Sequence, residues 1–110
     1  MVAEKVAIVI PALNEEAAIH QLLAELPQDF AQWVIVVDNG STDATATVAQ
    51  KSGAIITTEP MRGYGRACLK GFKTACILGA EIVIFMDGDG SDDPTAVSYT
   101  HLTLPTILRV

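Results

Sequence analysis

IVIFMDGDGSDDP, residues 82–94, runs five apolar residues straight into Asp87-Gly88-Asp89, with further acids at Asp92 and Asp93. A continuous apolar run rich in β-branched residues reads as a strand buried on both faces, as in a parallel sheet covered by helices. Its abrupt end in carboxylates marks the carboxyl edge of such a sheet, where open α/β folds bind their ligands. Two carboxylates separated by one glycine can reach a single hard divalent cation from a loop. Mg²⁺ keeps most of its water and takes one or two protein carboxylates plus substrate phosphate oxygens. On its own, Asp-x-Asp reads more simply as a solvated acidic turn, and the stretches before it shift the balance.

Immediately upstream, the spacing predicts a helix over about 66–78 that ends at Gly79. Ala67, Cys68, Gly71, Phe72, Ala75 and Cys76 would give it a small-residue face for close packing on a sheet. The loop EPMRGYG (59–65) precedes it, and before that a short, threonine-rich strand over 54–58 belongs near a sheet edge. A helix over 44–52 closes at Gly53, a left-handed stop position. A strand over 33–37 runs into Asp38-Asn39-Gly40-Ser41-Thr42-Asp43, turn chemistry followed by helix-capping chemistry. The first strand, over 5–10, is broken by Pro11-Ala12-Leu13-Asn14-Glu15. Ile19, Leu22, Leu23 and Leu26 then share one helical face opposite Glu15, Glu16, Gln21 and Glu25, with Asn14 the expected N-cap and Pro27 the stop. Strands alternating with short helices predict an α/β fold, a Rossmann-like, mostly parallel sheet with flanking helices.

With 110 residues, the chain is long enough for one small domain, and being half hydrophobic it can fill a core. Its net charge of −6 disfavours nucleic-acid binding, which wants a basic face. Cys68 and Cys76 show no Cys-x-x-Cys spacing and read as small buried residues of a reducing compartment. Met1–Lys5 lacks the layout of a signal peptide, and no apolar run reaches the roughly 18 residues of a membrane span. A cytoplasmic location is expected, with any membrane attachment left to sequence downstream. No Gly-x-Gly-x-x-Gly follows the first strand and no Gly-Lys-Ser/Thr is present, which disfavours a nicotinamide-binding domain and a P-loop.

Taken together, VAIVIPALNEE, VIVVDNGSTDAT, RGYGRACLKGF and IVIFMDGDGSDDP resemble the family-2 glycosyltransferases of GT-A fold, over about residues 5–95. Within that family they are most similar to bacterial enzymes of the dolichyl-phosphate mannose and glucose synthase type. The resemblance implies metal-assisted transfer of a sugar, with inversion, from a UDP- or GDP-linked donor to an acceptor such as a polyprenyl phosphate. It assigns Pro11, Ala12 and Leu13 to the wall around the nucleoside, Glu15 to the base or ribose, and Asp38 to the base. Gly40 and Ser41 would turn the backbone tightly beside the nucleotide, and Arg62, Gly63 and Arg66 would contact nucleotide or diphosphate. Asp87 and Asp89 match the metal-binding pair, the DXD motif, for Mg²⁺ or Mn²⁺, and Asp87 also counts among the nucleotide contacts. Asn39 departs from the commoner second Asp of its block, and Ser91 stands where related synthases often carry Gln. Any general base would lie beyond this fragment, so the catalytic residue stays unassigned.

Two competing readings remain open at this point. Asp87-Gly-Asp-Gly-Ser91 also fits the signature of a haloacid-dehalogenase-type phosphatase using Asp87 and Asp89, although that motif normally ends an early strand. The chain could equally be a non-catalytic nucleotide-binding remnant. Residues 97–106, VSYTHLTLPT, match the translation of GTC TCT TAT ACA CAT CTG ACG CTG CCG ACG, identified as the end of a transposase sequencing adapter. The expectation is therefore a truncated nucleotide-sugar-binding part over 1–96, a non-native tail over 97–110, and a fourth strand whose far edge is uncovered.

Overall fold

A computed structural model describes residues 5–27, 29–89 and 106–109, the last four by their backbone. In chain order the elements are β1 (Val6–Ala12), α1 (Glu16–Glu25), β2 (Trp33–Asp38), α2 (Thr45–Lys51), β3 (Ile55–Thr58), α3 (Tyr64–Leu78), β4 (Ile82–Phe85) and β5 (Thr106–Arg109). The five strands form one sheet in the order β3-β2-β1-β4-β5, and every pairing is parallel.

All seven residues of β1 are buried, as its unbroken apolar run demands. Alternate side chains feed two cores. Val6, Ile8 and Ile10 pack with Val36, Ile82 and Ile84 under Ile19 and Leu22 of α1 and Ala49 of α2. Ala7 and Val9 pack with Ile35, Val37 and Val83 under Ala67 and Ala75 of α3. The chain thus winds outward from β1 through β2 to β3 with helices on one face. It then returns to β4 on the other side of β1, with α3 on the opposite face. Keeping right-handed crossovers while reversing direction requires that change of face, and the reversal creates a switch point between β1 and β4.

Gly71 sets how closely α3 lies on the sheet. A Cβ there would fall 2.2 Å from Val9 Cγ1 and 3.0 Å from Val37 Cγ2. The expected small-residue face is real at Ala67, Gly71 and Ala75, whereas Cys68 and Phe72 are half-buried. Cys76, read as buried, is exposed, because it falls on the rim of the helix rather than on its sheet-facing stripe.

Pro11 does not end β1 as anticipated; the strand continues through Ala12, with Pro11 in register with Val37. Val9 C=O accepts from Met86 N–H on the β4 side, and Pro11 C=O points the same way, toward Gly88. The β1–β4 ladder stops at Val9 and Phe85, so the missing proline N–H faces a place without a ladder. β3 lies at the sheet edge, as its composition implied. β5 pairs with β4 from Ile82 to Phe85, so that edge is covered, contrary to expectation. The boundary expected near Ala96, the loop acids Asp92 and Asp93, Ser91 and most of the 97–106 string lie outside the described residues. Among the described residues, no helix is long and apolar enough to cross a membrane.

Candidate functional site

The carboxyl ends of β1, β2 and β4 and the start of α3 enclose a cleft of about 430 Å³, within the usual range of about 300–1,000 Å³ for small-molecule sites. Pro11, Ala12, Leu13 and Glu15 form one wall. Asn39, Arg62, Gly63 and Tyr64 form another, and Asp87, Gly88 and Asp89 close the third side. The structure therefore brings together eight of the predicted residues: Pro11, Ala12, Leu13, Glu15, Arg62, Gly63, Asp87 and Asp89.

The glycine between the two acids has a packing reason. A Cβ on Gly88 would lie 3.0 Å from Pro11 C=O and 3.2 Å from Ala12 Cβ. Only a bare backbone lets the Asp87–Asp89 turn lie against the end of β1. Asp87 is half-buried and accepts a hydrogen bond from the Tyr64 hydroxyl at 3.1 Å through Oδ1, while Asp89 is exposed. Tyr64 was not singled out from sequence; its only signal was its place in the RGYG loop.

Glu15 has its carboxyl pushed above the ordinary value of 4.5, first by burial and then by the negative charges of Asp89 and Asp43. Glu15 and Asp89, at the β1 and β4 ends, line the same cleft. Among the described residues, no group of three or more His, Cys, Asp or Glu side chains is arranged to hold an ion. Two carboxylates with all-oxygen donors facing a cleft nonetheless suit a hard divalent cation that completes its shell with water and phosphate.

Asp38, Gly40, Ser41 and Arg66 are not among the residues lining the cleft. Asp38 Oδ1 accepts the Ser41 N–H at 3.0 Å, so this carboxylate braces its own turn. Ser41 Oγ accepts the Asn14 N–H at 2.9 Å. Gly40, at φ +89°, has the Arg62 side chain laid across it, with Nε 3.3 Å from where a Cβ would sit. Its role is to give Arg62 room. Arg66 is exposed on the first turn of α3. The Gly63 N–H is taken by Asn39 Oδ1 at 3.1 Å, so Gly63 shapes the wall and its amide points into the protein.

Asn14 is not the N-cap of α1; that position is Glu15, without a side-chain cap bond. At φ +53°, Asn14 instead reaches the other helix start, its Oδ1 accepting the N–H of Thr42 at 2.8 Å and of Asp43 at 3.3 Å. Asp43 Oδ2 accepts in turn from Glu16 N–H, Thr45 Oγ1 accepts from Glu15 N–H, and Glu16 Oε1 accepts from Ala44 N–H. Each of the two helix starts is thus capped by side chains of the other. Asp43 sits below its ordinary value, chiefly because the Thr45 hydroxyl donates to it, followed by the N–H groups of Thr45 and Glu16, against a burial effect that raises it.

The family model for glycosyl transferase family 2 matches residues 7–100. An uncharacterised glycosyltransferase of Mycobacterium tuberculosis is 43% identical over 93 residues, covering 84% of this chain and 40% of that protein. The 4,4'-diaponeurosporenoate glycosyltransferase of Staphylococcus haemolyticus is 36% identical over 92 residues, covering 78% of this chain and 24% of that protein. Among solved structures, glucosyl-3-phosphoglycerate synthase from M. tuberculosis, in complex with Mn²⁺, UDP and glucosyl-3-phosphoglycerate, superposes with a TM-score of 0.65 at 31% identity. That alignment covers 78% of this chain and 34% of the synthase. The chain spans about two-fifths of the length of the mycobacterial relatives.

Proposed function

The chain belongs to glycosyltransferase family 2 and carries the N-terminal part of its GT-A fold, and from that premise we propose that the intact protein transfers a sugar from a nucleotide-diphosphate donor. The match spans both the Asp38–Asp43 block and the Asp87–Asp89 turn, and a phosphatase would leave the first unexplained. The observation that carries the proposal is that Asp87, Asp89 and Arg62 line one cleft together with the end of β1. Such opposite charges suit a diphosphate held between a cation and a guanidinium.

Asp87 and Asp89 would hold Mg²⁺ or Mn²⁺, and a bound cation there would supply Lewis-acid stabilisation of the departing diphosphate. Arg62 adds fixed positive charge on the same leaving group. Pro11, Ala12 and Leu13 give the nucleoside an apolar wall, and Glu15 can hydrogen-bond the ribose or base. Asp38, braced by Ser41, is given no contact with the base here. A polyprenyl-phosphate acceptor would attack as an anion, without a general base, from the face opposite the leaving group. We also propose that the 110-residue chain alone binds nucleotide without turning it over, because it spans only about two-fifths of the length of the mycobacterial relatives.

Titration calorimetry of the chain with UDP and GDP, with and without Mn²⁺, tests this. One nucleotide should bind in a Mn²⁺-dependent way, and Asp87→Asn or Asp89→Asn should weaken that binding at least about tenfold, or about 1.4 kcal/mol. Absence of binding by either nucleotide under all conditions would overturn the proposal for this chain. With the intact protein, the anomeric configuration of the product tests inversion: a product that keeps the donor's configuration rules it out.

A further inference from the structure

We infer that Asn39 is a positioning residue whose amide group clamps the 59–63 loop and so delivers Arg62 to the cleft, an inference that rests on the nucleotide-binding reading of that cleft. Asn39 follows the last residue of β2 and is 5% exposed. Its N–H donates to Ala12 C=O at 2.9 Å, which ties it to the end of β1. Both side-chain hydrogens are spent across the gap: Nδ2 donates to Glu59 C=O and to Met61 C=O, each at 2.9 Å. Oδ1 accepts the Gly63 N–H at 3.1 Å. One buried amide therefore grips three alternate residues of a loop that has no regular structure of its own.

Arg62 lies between the gripped residues, and its side chain passes over Gly40, the residue next to Asn39. The turn and the loop are thus fixed from the same point. The pattern also accounts for the residue type. Aspartate has the same shape but no hydrogens to donate, so it would set carboxylate oxygens against the Glu59 and Met61 carbonyls. Those two carbonyls would lose their donor, and a buried polar group left unpaired costs more than a hydrogen bond is worth. An amide here is a requirement of this loop, not a weakened version of an acidic ligand.

Trypsin at the Arg62–Gly63 bond reports the clamp without any ligand. Asn39→Asp should speed cleavage after Arg62 at least tenfold while cleavage after Lys51 and Lys73, both exposed, stays unchanged. Asn39→Ser, which keeps one donor, should show a smaller effect in the same place and serves if the aspartate variant fails to fold. Calorimetry with UDP and Mn²⁺ should show at least fivefold weaker binding for either variant. In an Arg62→Ala background that loss should vanish, because the clamp acts through Arg62. Uniform acceleration at every site, or none at Arg62, overturns the clamp. Faster cleavage with unchanged nucleotide binding, or a loss that persists without Arg62, overturns the positioning role. Failure of the unmodified chain to bind UDP or GDP with Mn²⁺ would overturn the cleft reading and the positioning role together, while the cleavage pattern still decides the clamp.

Discussion

Two carboxylates near the helix starts respond to pH in opposite senses. Asp43 is held below its ordinary value by the Thr45 hydroxyl and by backbone N–H donors. It therefore stabilises the fold when ionised; that contribution is complete above 3.8 and is lost as pH falls through its lowered folded value. Glu15 is raised, mainly by burial and then by Asp89 and Asp43. Its contribution is complete below 4.5 and is lost as pH rises through its raised folded value. Asp43→Asn should lower the urea midpoint at pH 7, and the gap to the unmodified chain should close once acid protonates Asp43. Glu15→Gln should raise the midpoint slightly at pH 7 and leave it unchanged below pH 4.5. An Asp43→Asn chain that matches the parent at pH 7 would show that the cap contributes nothing. Much at this scale was hidden from sequence. Asn14 looked like a cap for its own helix, yet its partner is Thr42, 28 positions away. Asn39 looked like a departure from an acidic motif, and only its buried surroundings show why an amide stands there.

The elements themselves were largely readable, because β1, β2 and β4 are built on near-continuous apolar runs and each helix is bounded by Gly, Pro or a polar turn. Gly79 stops α3 at φ +99°, as its position predicted. What the residue pattern could not supply was distance. Gly71 counted as one of six residues on an apolar face, whereas the packing makes it the point where α3 and β1 meet. Gly71→Ala gains up to about 1 kcal/mol of helix propensity but forces a Cβ to within 2.2 Å of Val9 Cγ1. Overpacking of that kind costs about 1–3 kcal/mol, so a net loss of up to about 2 kcal/mol is expected in chemical denaturation. Val9→Ala removes the obstructing methyls, so the double variant should be less destabilised than the sum of the singles by about 1 kcal/mol or more. Strict additivity would mean that α3 shifts away as a unit and that Gly71 does not set its height. Gly88 acts by the same logic at a loop, which is why a glycine separates Asp87 from Asp89.

For the molecule as a whole, the alternation of strands and helices implied the parallel sheet, but the strand order and the pairing of β5 needed coordinates. β5 takes only Thr106 from the 97–106 string and continues through Ile107, Leu108 and Arg109, all within the stretch expected to be a non-native tail. The order β3-β2-β1-β4-β5 puts the reversal of winding between β1 and β4, so the cleft opens where the two halves of the sheet part. That geometry makes a claim about where a ligand acts. Loops at the carboxyl ends of the strands carry the site, while the amino ends are tied by other bonds, such as Lys5 N–H to Glu81 Oε1 and Glu81 N–H to Lys5 C=O. Amide hydrogen exchange with saturating nucleotide and Mn²⁺ should therefore slow in three places: residues 12–15, 61–65 and 87–89. It should give no excess protection in β3 or along the α1–α2 groove around His20 and Val48. At a ligand concentration 100 times Kd, binding stabilises the folded state by about 2.7 kcal/mol, so globally protected amides should slow uniformly on top of the local effect. The test lies in the excess at the three loops. Excess protection at the amino ends of the strands, or along the α1–α2 groove, would place the nucleotide elsewhere and remove Asp87, Asp89 and Arg62 from the mechanism.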